Sequence, residues 1–489
     1  MRNLLFAGLA ACAASPGGAQ VPLTLDTSFR ASRITHPGLT DALPLEDGSV
    51  ITNGNCILDS TILSNYGWMK LLPNGDLDDS FPKSRGGGSI SVTDNCYYVV
   101  GNGGVRRKLL TGEHDGDFHP GNANTPFPGA PSGAYGDVFV QEDGYLLMTG
   151  DMLMGDFWGQ PAGWYSLMRI NSNARLDSTF DHRQADHAIW TLEPLANGQL
   201  LASGVFSVYE GDSVGRIIRI NQDGTRDTTY HSPIRKGYAK CFIHQPDGKI
   251  ITGGSFLLES DMDTTHLIRL LPDGALDNTF NNHTEFKRLP YYTIGDFAAA
   301  VHDLEQLSDG TIIVAGSFTH IDGQLRRGIA LVDSLGNLQN TAFTGQGAGL
   351  CHALNSTLLY SGVTAISPAP DGSLFLSGDF WGFDDGVIND PGQRMICKLH
   401  GIDVGIAEHG SVGSLSVYPN PGTRMFNLTS DLTGPCIVRV FDMFGKEQLN
   451  SPCTMGNCVT DMSPFAPGAY TVILTDKHGT QRTAQWIKH

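Results

Sequence analysis

Short apolar runs alternate with clusters of turn-forming residues along most of the chain. Phe242-Ile243-His244 is followed by Gln245-Pro246-Asp247-Gly248, and then by Lys249-Ile250-Ile251-Thr252-Gly253-Gly254. The same arrangement recurs at Gly48 and Gly54, Gly144 and Gly150, Gly198 and Gly204, Gly310 and Gly316, and Gly372 and Gly378. Each time Asp-Gly or Asn-Gly makes the turn and a second glycine lies six residues on. A degenerate copy turns at Asp94-Asn95, with Gly101 six residues later. Asp-Gly and Asn-Gly accept the positive φ of tight hairpin turns. Segments such as Thr311 to Ala315 and Ser373 to Ser377 are five residues long and rich in Ile, Leu and Val, which is strand length and strand composition. The second glycine predicts a strand end where the backbone bends or another backbone comes close.

A second module follows each first one. It opens with an apolar strand that holds one basic residue, as in Leu267-Ile268-Arg269-Leu270, Ile217-Ile218-Arg219-Ile220 and Leu167-Met168-Arg169-Ile170; Lys70 and Lys398 occupy that place in two more copies. A turn follows, then Asp-x-x-Phe or Asp-x-x-Tyr: Asp78 and Phe81, Asp115 and Phe118, Asp177 and Phe180, Asp227 and Tyr230, Asp277 and Phe280. Ala174 replaces the turn glycine in one copy, and the copy at Gly336 slips by one residue to end at Phe343. The last repeat, Gly362 to His400, has no such terminator. The chain start has one with no repeat before it, Leu25-Asp26-Thr27-Ser28-Phe29. A unit split between the two ends is what a closed ring needs. The mean repeat of about 54 residues is enough for a four-stranded blade. The expected fold is therefore all-β: a seven-bladed β-propeller over residues 21–403, with an eight-bladed ring or an open array as alternatives. The unit from Asp309-Gly310 to Phe343, with Ala315-Gly316-Ser317-Phe318-Thr319, resembles the delta-60 repeat family of bacterial secreted proteins. That resemblance implies a propeller-like fold and no established chemistry.

After Lys398 the composition changes. Residues 404–415 read as a linker, and 416–489 as several short strands forming a small immunoglobulin-like β-sandwich. Tyr418-Pro419-Asn420-Pro421, Val440-Phe441-Asp442 running to Gly445-Lys446, and Pro467-Gly468-Ala469-Tyr470 occur in that order, with Lys488 near the end. This order resembles the type A C-terminal sorting domain of the type IX secretion system. The resemblance implies a Gram-negative bacterium of the Bacteroidota, periplasmic transit, and passage through the outer membrane by the type IX machinery. It further implies that the domain is removed and the cargo released or attached to surface lipopolysaccharide, so the expected location is extracellular or at the outer cell surface. Cys436, Cys453 and Cys458 depart from the family pattern, as does Ala466 where leucine is usual.

The first residues carry one charge, Arg2, then the apolar run Leu4 to Ala14, with Gly17 and Ala19 placed for cleavage before Gln20. Residues 1–19 read as a secretory signal peptide. Leu9-Ala10-Ala11-Cys12 offers a rival lipoprotein site that would place a lipid on Cys12. No later run reaches the roughly 18 uninterrupted apolar residues of a spanning helix. Without Cys12, eight of the nine cysteines remain; a disulfide among the last three and buried free thiols are both open readings. No Cys-x-x-Cys pair suggests zinc.

Composition sharpens the picture in two ways. The 60 glycines in 489 residues, about 12% against a usual 7% or so, are largely the two repeated positions. The formal charge of −18 speaks against a nucleic-acid partner, since no cationic surplus is present to neutralise phosphates. The six basic and five acidic residues of 411–489 leave the acid excess on the ring.

No catalytic motif stands out. His114 and His119 flank Asp115 and Asp117, but Asp115 is the repeat's own residue. A carboxylate that recurs in nearly every blade predicts a backbone-capping acceptor rather than a catalytic group, and the recurrent Phe or Tyr predicts core packing. The basic strand residue either pairs with a carboxylate or faces solvent. Blade-specific loops are the better candidates for ligand binding. Asp156, Phe157, Trp158 and Trp164 form one; Trp381, Phe383, Asp384 and Asp385, in a segment that begins at Asp379, form the other. Aromatic platforms beside carboxylates suit glycan stacking, with calcium as the one cofactor the carboxylates would allow; packing of the loop on its blade is the competing explanation. The expected function is non-enzymatic binding of an extracellular ligand or polymer, a glycan among them. The alternatives are a polysaccharide-active enzyme using propeller-loop carboxylates and a structural or adhesive surface protein.

Overall fold

A computed structural model describes residues 23–400 and 415–488 apart from 37, 60–64, 94, 102–103, 119–134, 142, 155–161, 260–262, 289–298, 353–358, 419–421, 431–434, 443–445, 454–456, 467 and 477–480. The signal-peptide and Cys12 expectations, most of the linker, Asp156, Phe157, Trp158, Pro419, Asn420, Pro421 and Gly445 lie outside the described residues. Every helical or strand element among the described residues is a β-strand. The chain forms two compact units, one within 12–406 and one within 407–489.

In the first unit each repeat folds into its own antiparallel sheet. The first is Leu39–Pro44, Val50–Gly54 and Met69–Leu71; the last is Gly362–Pro368, Leu374–Asp384 and Asn389–His400. The first strands of successive sheets are Leu39–Pro44, Ile90–Val92, Tyr135–Val140, Ile189–Pro194, Ile234–His244, Val301–Gln306 and Gly362–Pro368. Each of these inner strands contacts the next, and Gly362–Pro368 contacts Leu39–Pro44, so they surround a common axis. The chain start closes the circle. Thr24–Leu25 pairs with Asn389–His400, with Thr24 opposite His400. Asp385 Oδ2 accepts the Leu25 N–H at 2.6 Å, and the Phe29 ring meets Phe375 edge-on at 5.1 Å.

The turn chemistry follows the sequence. At Leu45 to Ser49, the Gly48 N–H donates to Leu45 O at 3.0 Å and the Leu45 N–H to Ser49 O at 2.8 Å, with Gly48 at φ 77°. This is a type I turn closed by a left-handed residue. Ala174, standing where other copies have glycine, takes the same left-handed backbone at φ 61°.

The recurrent Asp, the basic strand residue and the recurrent aromatic form one clamp. Asp277 Oδ1 accepts the Thr279 N–H at 2.9 Å and the Thr279 hydroxyl at 2.6 Å, which caps the turn. Its Oδ2 accepts Arg269 Nε at 2.8 Å. The guanidinium sits 5.0 Å from the centre of the Phe280 ring and donates to Ser334 O, in the turn of the following repeat, at 3.0 Å. Arg219 repeats this with Asp227 at 2.8 Å, Tyr230 at 5.1 Å and Pro272 O at 2.8 Å. Arg169 with Asp177 and Phe180, and Arg107 with Asp115 and Phe118, make the same unit. Of the two roles open to the basic residue, carboxylate pairing is the one adopted. Where the residue is Lys, it turns to the hairpin aspartate instead, Lys70 to Asp47 at 3.2 Å and Lys398 to Asp371 at 2.7 Å. Hydrogen bonds from Thr229 outweigh burial and, with Arg219, hold Asp227 far below the usual carboxylate range. Asp277 is also depressed, because burial, which pushes it up, is outweighed by Thr279 and Arg269.

The second unit has two sheets. Leu415–Tyr418, Met425–Ser430 and Asn457–Asp461 form one; Glu447–Cys453, Cys436–Asp442, Gly468–Asp476 and Gln481–Lys488 form the other. Both feed one core that includes Phe426, Leu428, Val438, Val440, Val472 and Trp486. The eight cysteines among the described residues are not joined by disulfides.

Arg269→Ala removes the closer cation of the buried Asp277 carboxylate, leaving Lys249 at 3.4 Å, and should cost about 2 kcal/mol. Arg33→Ala, which opens the exposed pair with Asp59, should cost no more than about 1 kcal/mol. Denaturant unfolding of the two variants checks the difference.

Candidate functional site

Six of the seven inner strands share one irregularity, which Ile90–Val92 lacks. Leu39 pairs with Gly54 and Asp41 with Asn53, which leaves Thr40 as an extra residue, a β-bulge. The same shift leaves Trp190, Lys240, His302 and Thr364 extra in their strands, and in Tyr135–Val140 it falls at Gly136-Asp137. The residue opposite each bulge is the repeat's second glycine. A Cβ at Gly54 would lie 2.1 Å from Gly38 O, and one at Gly316 would lie 2.2 Å from Ala300 O. The two backbones come so close that only hydrogen fits.

In those six sheets the bulge delivers one residue toward the axis. Thr40, Gly136 and Trp190, with Asp41, Gly88, Ser89 and Asp137, line an axial cleft of about 190 Å³. On the neighbouring inner strands Lys240 Nζ donates to His302 Nδ1 at 2.7 Å, and His302 Nε2–H donates to Ser317 Oγ at 3.0 Å. Thr364 Oγ1 donates to Leu39 O at 2.9 Å and Ser377 O at 3.0 Å.

Behind the bulges stand carboxylates that bind strands together. Asp41 accepts the N–H of Ala42 and, from the next sheet, of Ile90, both at 2.8 Å. Asp303 accepts from Leu304 at 2.9 Å and from Ile366 of the next sheet at 2.8 Å. Asp137 accepts from Val138 at 2.9 Å, Ser89 Oγ at 3.2 Å and Leu192 of the next sheet at 3.4 Å. Full burial pushes Asp137 up to about 6 in spite of these bonds. Asp379 is also pushed up to about 6 by burial, against the Gly38 N–H and the charge of Arg288. Its Oδ1 is buried and has no hydrogen-bond partner among the described residues.

The sequence-derived candidates fare differently. Trp164 is exposed at 43% on Gly163–Ile170, opposite Leu153. Trp381 is half-buried beneath Arg394, 5.5 Å from the ring centre. Phe383 is core, 1% exposed and packed on Phe343 and Phe380. Asp384 accepts the Gly386 and Gln346 N–H groups at 2.9 and 3.2 Å. Asp385, 2% exposed, accepts from Val387, Ile388 and Leu25, each at 2.6 Å. Two corrections follow. Residues 379–384 continue a strand rather than forming a loop, so alternate side chains turn inward. Phe383 and Asp385 are framework, and the pairing of an aromatic platform with available carboxylates does not form there. Trp164 and Trp381 belong to different sheets. The axial residues were missed because no motif marks them. A positional signal was present: Thr40, Gly136, Trp190, Lys240, His302 and Thr364 each lie fourteen residues before a strand glycine. Among the described residues, no cluster of three or more His, Cys, Asp or Glu side chains could hold a metal ion.

In the second unit Lys488 is buried. Its Nζ donates to Met462 O at 2.8 Å, Ser463 O at 3.3 Å and Phe465 O. Tyr470 OH donates to Ala466 O at 2.7 Å, beside Trp486. Tyr418 and Lys446 are exposed, and Gly468 opens the strand opposite Lys488. Residues 416–489 match the model of the secretion system C-terminal sorting domain. Residues 195–230, 245–280 and 307–339 match that of a β-propeller domain of unknown function. The chain is a β-propeller protein with a type IX secretion sorting domain. The sorting domain directs the propeller to the cell surface or the extracellular space. No helix among the described residues is long and apolar enough to cross a membrane.

Two solved structures are similar at low identity. PorZ, a surface component of the type IX secretion system of Porphyromonas gingivalis, is 12% identical, with 98% of this chain and 61% of that one covered and a TM-score of 0.37. An extracellular domain assigned to the hybrid two component system BT4673 of B. thetaiotaomicron is 11% identical, with 96% and 59% covered and a TM-score of 0.41. The chain thus spans about three fifths of the length of each. No curated protein matches the chain.

Asp137 titrates near 6 in the fold and near 3.9 or so when unfolded. The folded chain therefore keeps a proton that the unfolded chain releases. This group's stabilising contribution is full below about pH 4 and is lost as pH rises through about 6. Relative to Asp137→Asn, the wild type should gain about 2–3 kcal/mol between pH 7.5 and pH 4, read from paired melts. Gly316→Ala, which drives a Cβ into Ala300 O, should destabilise by about 3 kcal/mol or prevent folding. Gly116→Ala, with open space around it, should cost less than about 1 kcal/mol.

Proposed function

We propose that residues 21–403 form a seven-bladed propeller that binds an extracellular ligand or polymer, a glycan among them, in its axial cleft without catalysing a reaction. In this reading residues 1–19 are a signal peptide cleaved on export, 404–415 are a linker, and 416–489 are an immunoglobulin-like sandwich removed by the type IX machinery of a Bacteroidota cell. The mature ring is then released or attached to surface lipopolysaccharide. The seven mutually adjacent inner strands support the blade count.

The observation that carries the binding role is convergence. The repeated bulges bring an aromatic ring, Trp190, and polar side chains to one axial position. The wall carboxylates Asp41 and Asp303 are engaged with backbone N–H groups, which leaves them poor acid–base groups. Asp379 favours the enzymatic alternative, because a carboxylate titrating near 6 with an unpaired oxygen is suited to proton transfer.

A glycan and polymer array on the mature chain tests the reading. Binding that Trp190→Ala abolishes and Trp164→Ala retains supports the cleft. Absence of binding by a folded wild type overturns it and favours a structural role. Turnover of a bound polysaccharide, lost in Asp379→Asn, would overturn the non-enzymatic part.

A further inference from the structure

Lys240 is set apart from the other cations of the ring. Each recurrent Arg has its own Asp eight residues on, as Arg269 has Asp277. Lys240 is half-buried, and the partners its ammonium has are His302 Nδ1 at 2.7 Å and the Tyr238 ring at 5.8 Å. No carboxylate pairs with it among the described residues. The nearby wall carboxylate, Asp303, faces the Leu304 and Ile366 N–H groups.

His302 cannot neutralise it. Because Nδ1 accepts from Lys240 and Nε2–H donates to Ser317, the ring is the neutral Nε2–H tautomer. Burial first, then the charges of Lys240 and Arg288, push its pKa down to about 3. The Arg288 charge also reaches Asp379. The charges of Lys240 and Arg288 thus both act at His302, in a chain whose overall charge is −18. Trp190 occupies the bulge immediately before Lys240 in the order of the inner strands.

We infer that the axial site recognises a saccharide unit bearing a negative charge, a carboxylate or a sulfate ester, with Lys240 as its counter-ion and Trp190 as the platform for the sugar ring. A partly desolvated ammonium without a carboxylate is stabilised by an anion it can meet directly. His302 is neutral and adds no positive charge of its own there. Sugar rings present apolar faces that stack on aromatic side chains. This inference rests on the reading of the cleft as the binding site.

The test is calorimetric titration of the mature chain with oligogalacturonate, its neutral methyl ester, and a sulfated galactan oligomer. Wild type should bind at least one charged oligomer ten-fold or more tighter than the neutral ester, and the charged oligomer that binds identifies the anion. Lys240→Met should bring charged and neutral binding to the same level, and Lys240→Arg should restore the preference. Melting curves establish that the variants are folded. Equal binding of charged and neutral oligomers by wild type, or a preference that survives Lys240→Met, overturns the anion inference and leaves the cleft reading standing. No binding of any oligomer by folded wild type overturns the inference, and the cleft reading falls with it if the glycan and polymer array is also blank.

Discussion

The contact on which the first unit depends is the approach of two backbones at each strand glycine. The carbonyl just before the inner strand lies just over 2 Å from where a Cβ would stand at Gly54 and Gly316. That proximity goes with the bulge, since the glycine pairs with the residue immediately before the inserted one. The bulge in turn interrupts strict alternation and sends one side chain to the axis. A glycine needed for packing and a residue available for recognition are thus two sides of one local geometry, repeated around the ring.

A second device holds neighbouring sheets together. The arginine of the third strand binds its own aspartate, lies over its own aromatic ring, and reaches a turn carbonyl of the following repeat. Its charge is satisfied on all sides, so it stabilises the scaffold without offering a binding group. Asp41, Asp137 and Asp303 do similar work nearer the axis, each joining its own strand to the next sheet through a backbone N–H group. Against this background the ammonium of Lys240 is distinctive because it meets His302 and the Tyr238 ring and, among the described residues, no carboxylate. The sorting domain treats charge in the first way: Lys488 is buried against three carbonyl oxygens and closes the end of the fold.

The architecture was legible in the sequence because its causes are local. Asp-Gly turns, a five-residue apolar run and a glycine at fixed spacing each act over a few residues. Their recurrence reports a ring, and the unmatched terminator at Asp26 to Phe29 reports where the ring is joined. The candidate site was much less legible. Trp381, Phe383, Asp384 and Asp385 read as an exposed aromatic and acidic loop, but the strand Leu374–Asp384 runs through them. That extension turns Phe383 into the core and commits Asp385 to the chain start, 360 residues away in sequence. Composition does not say which face of an extended segment is buried.

The sequence by itself determined the repeat, the turns, the capping aspartates and the export address, because each depends on residue identity at short spacing. Only the tertiary structure decided which side chains meet. Trp190, Lys240 and His302 come from three different repeats and share no motif. What they have in common is a register shift opposite a glycine, and that shift has a consequence only once the inner strands stand around one axis.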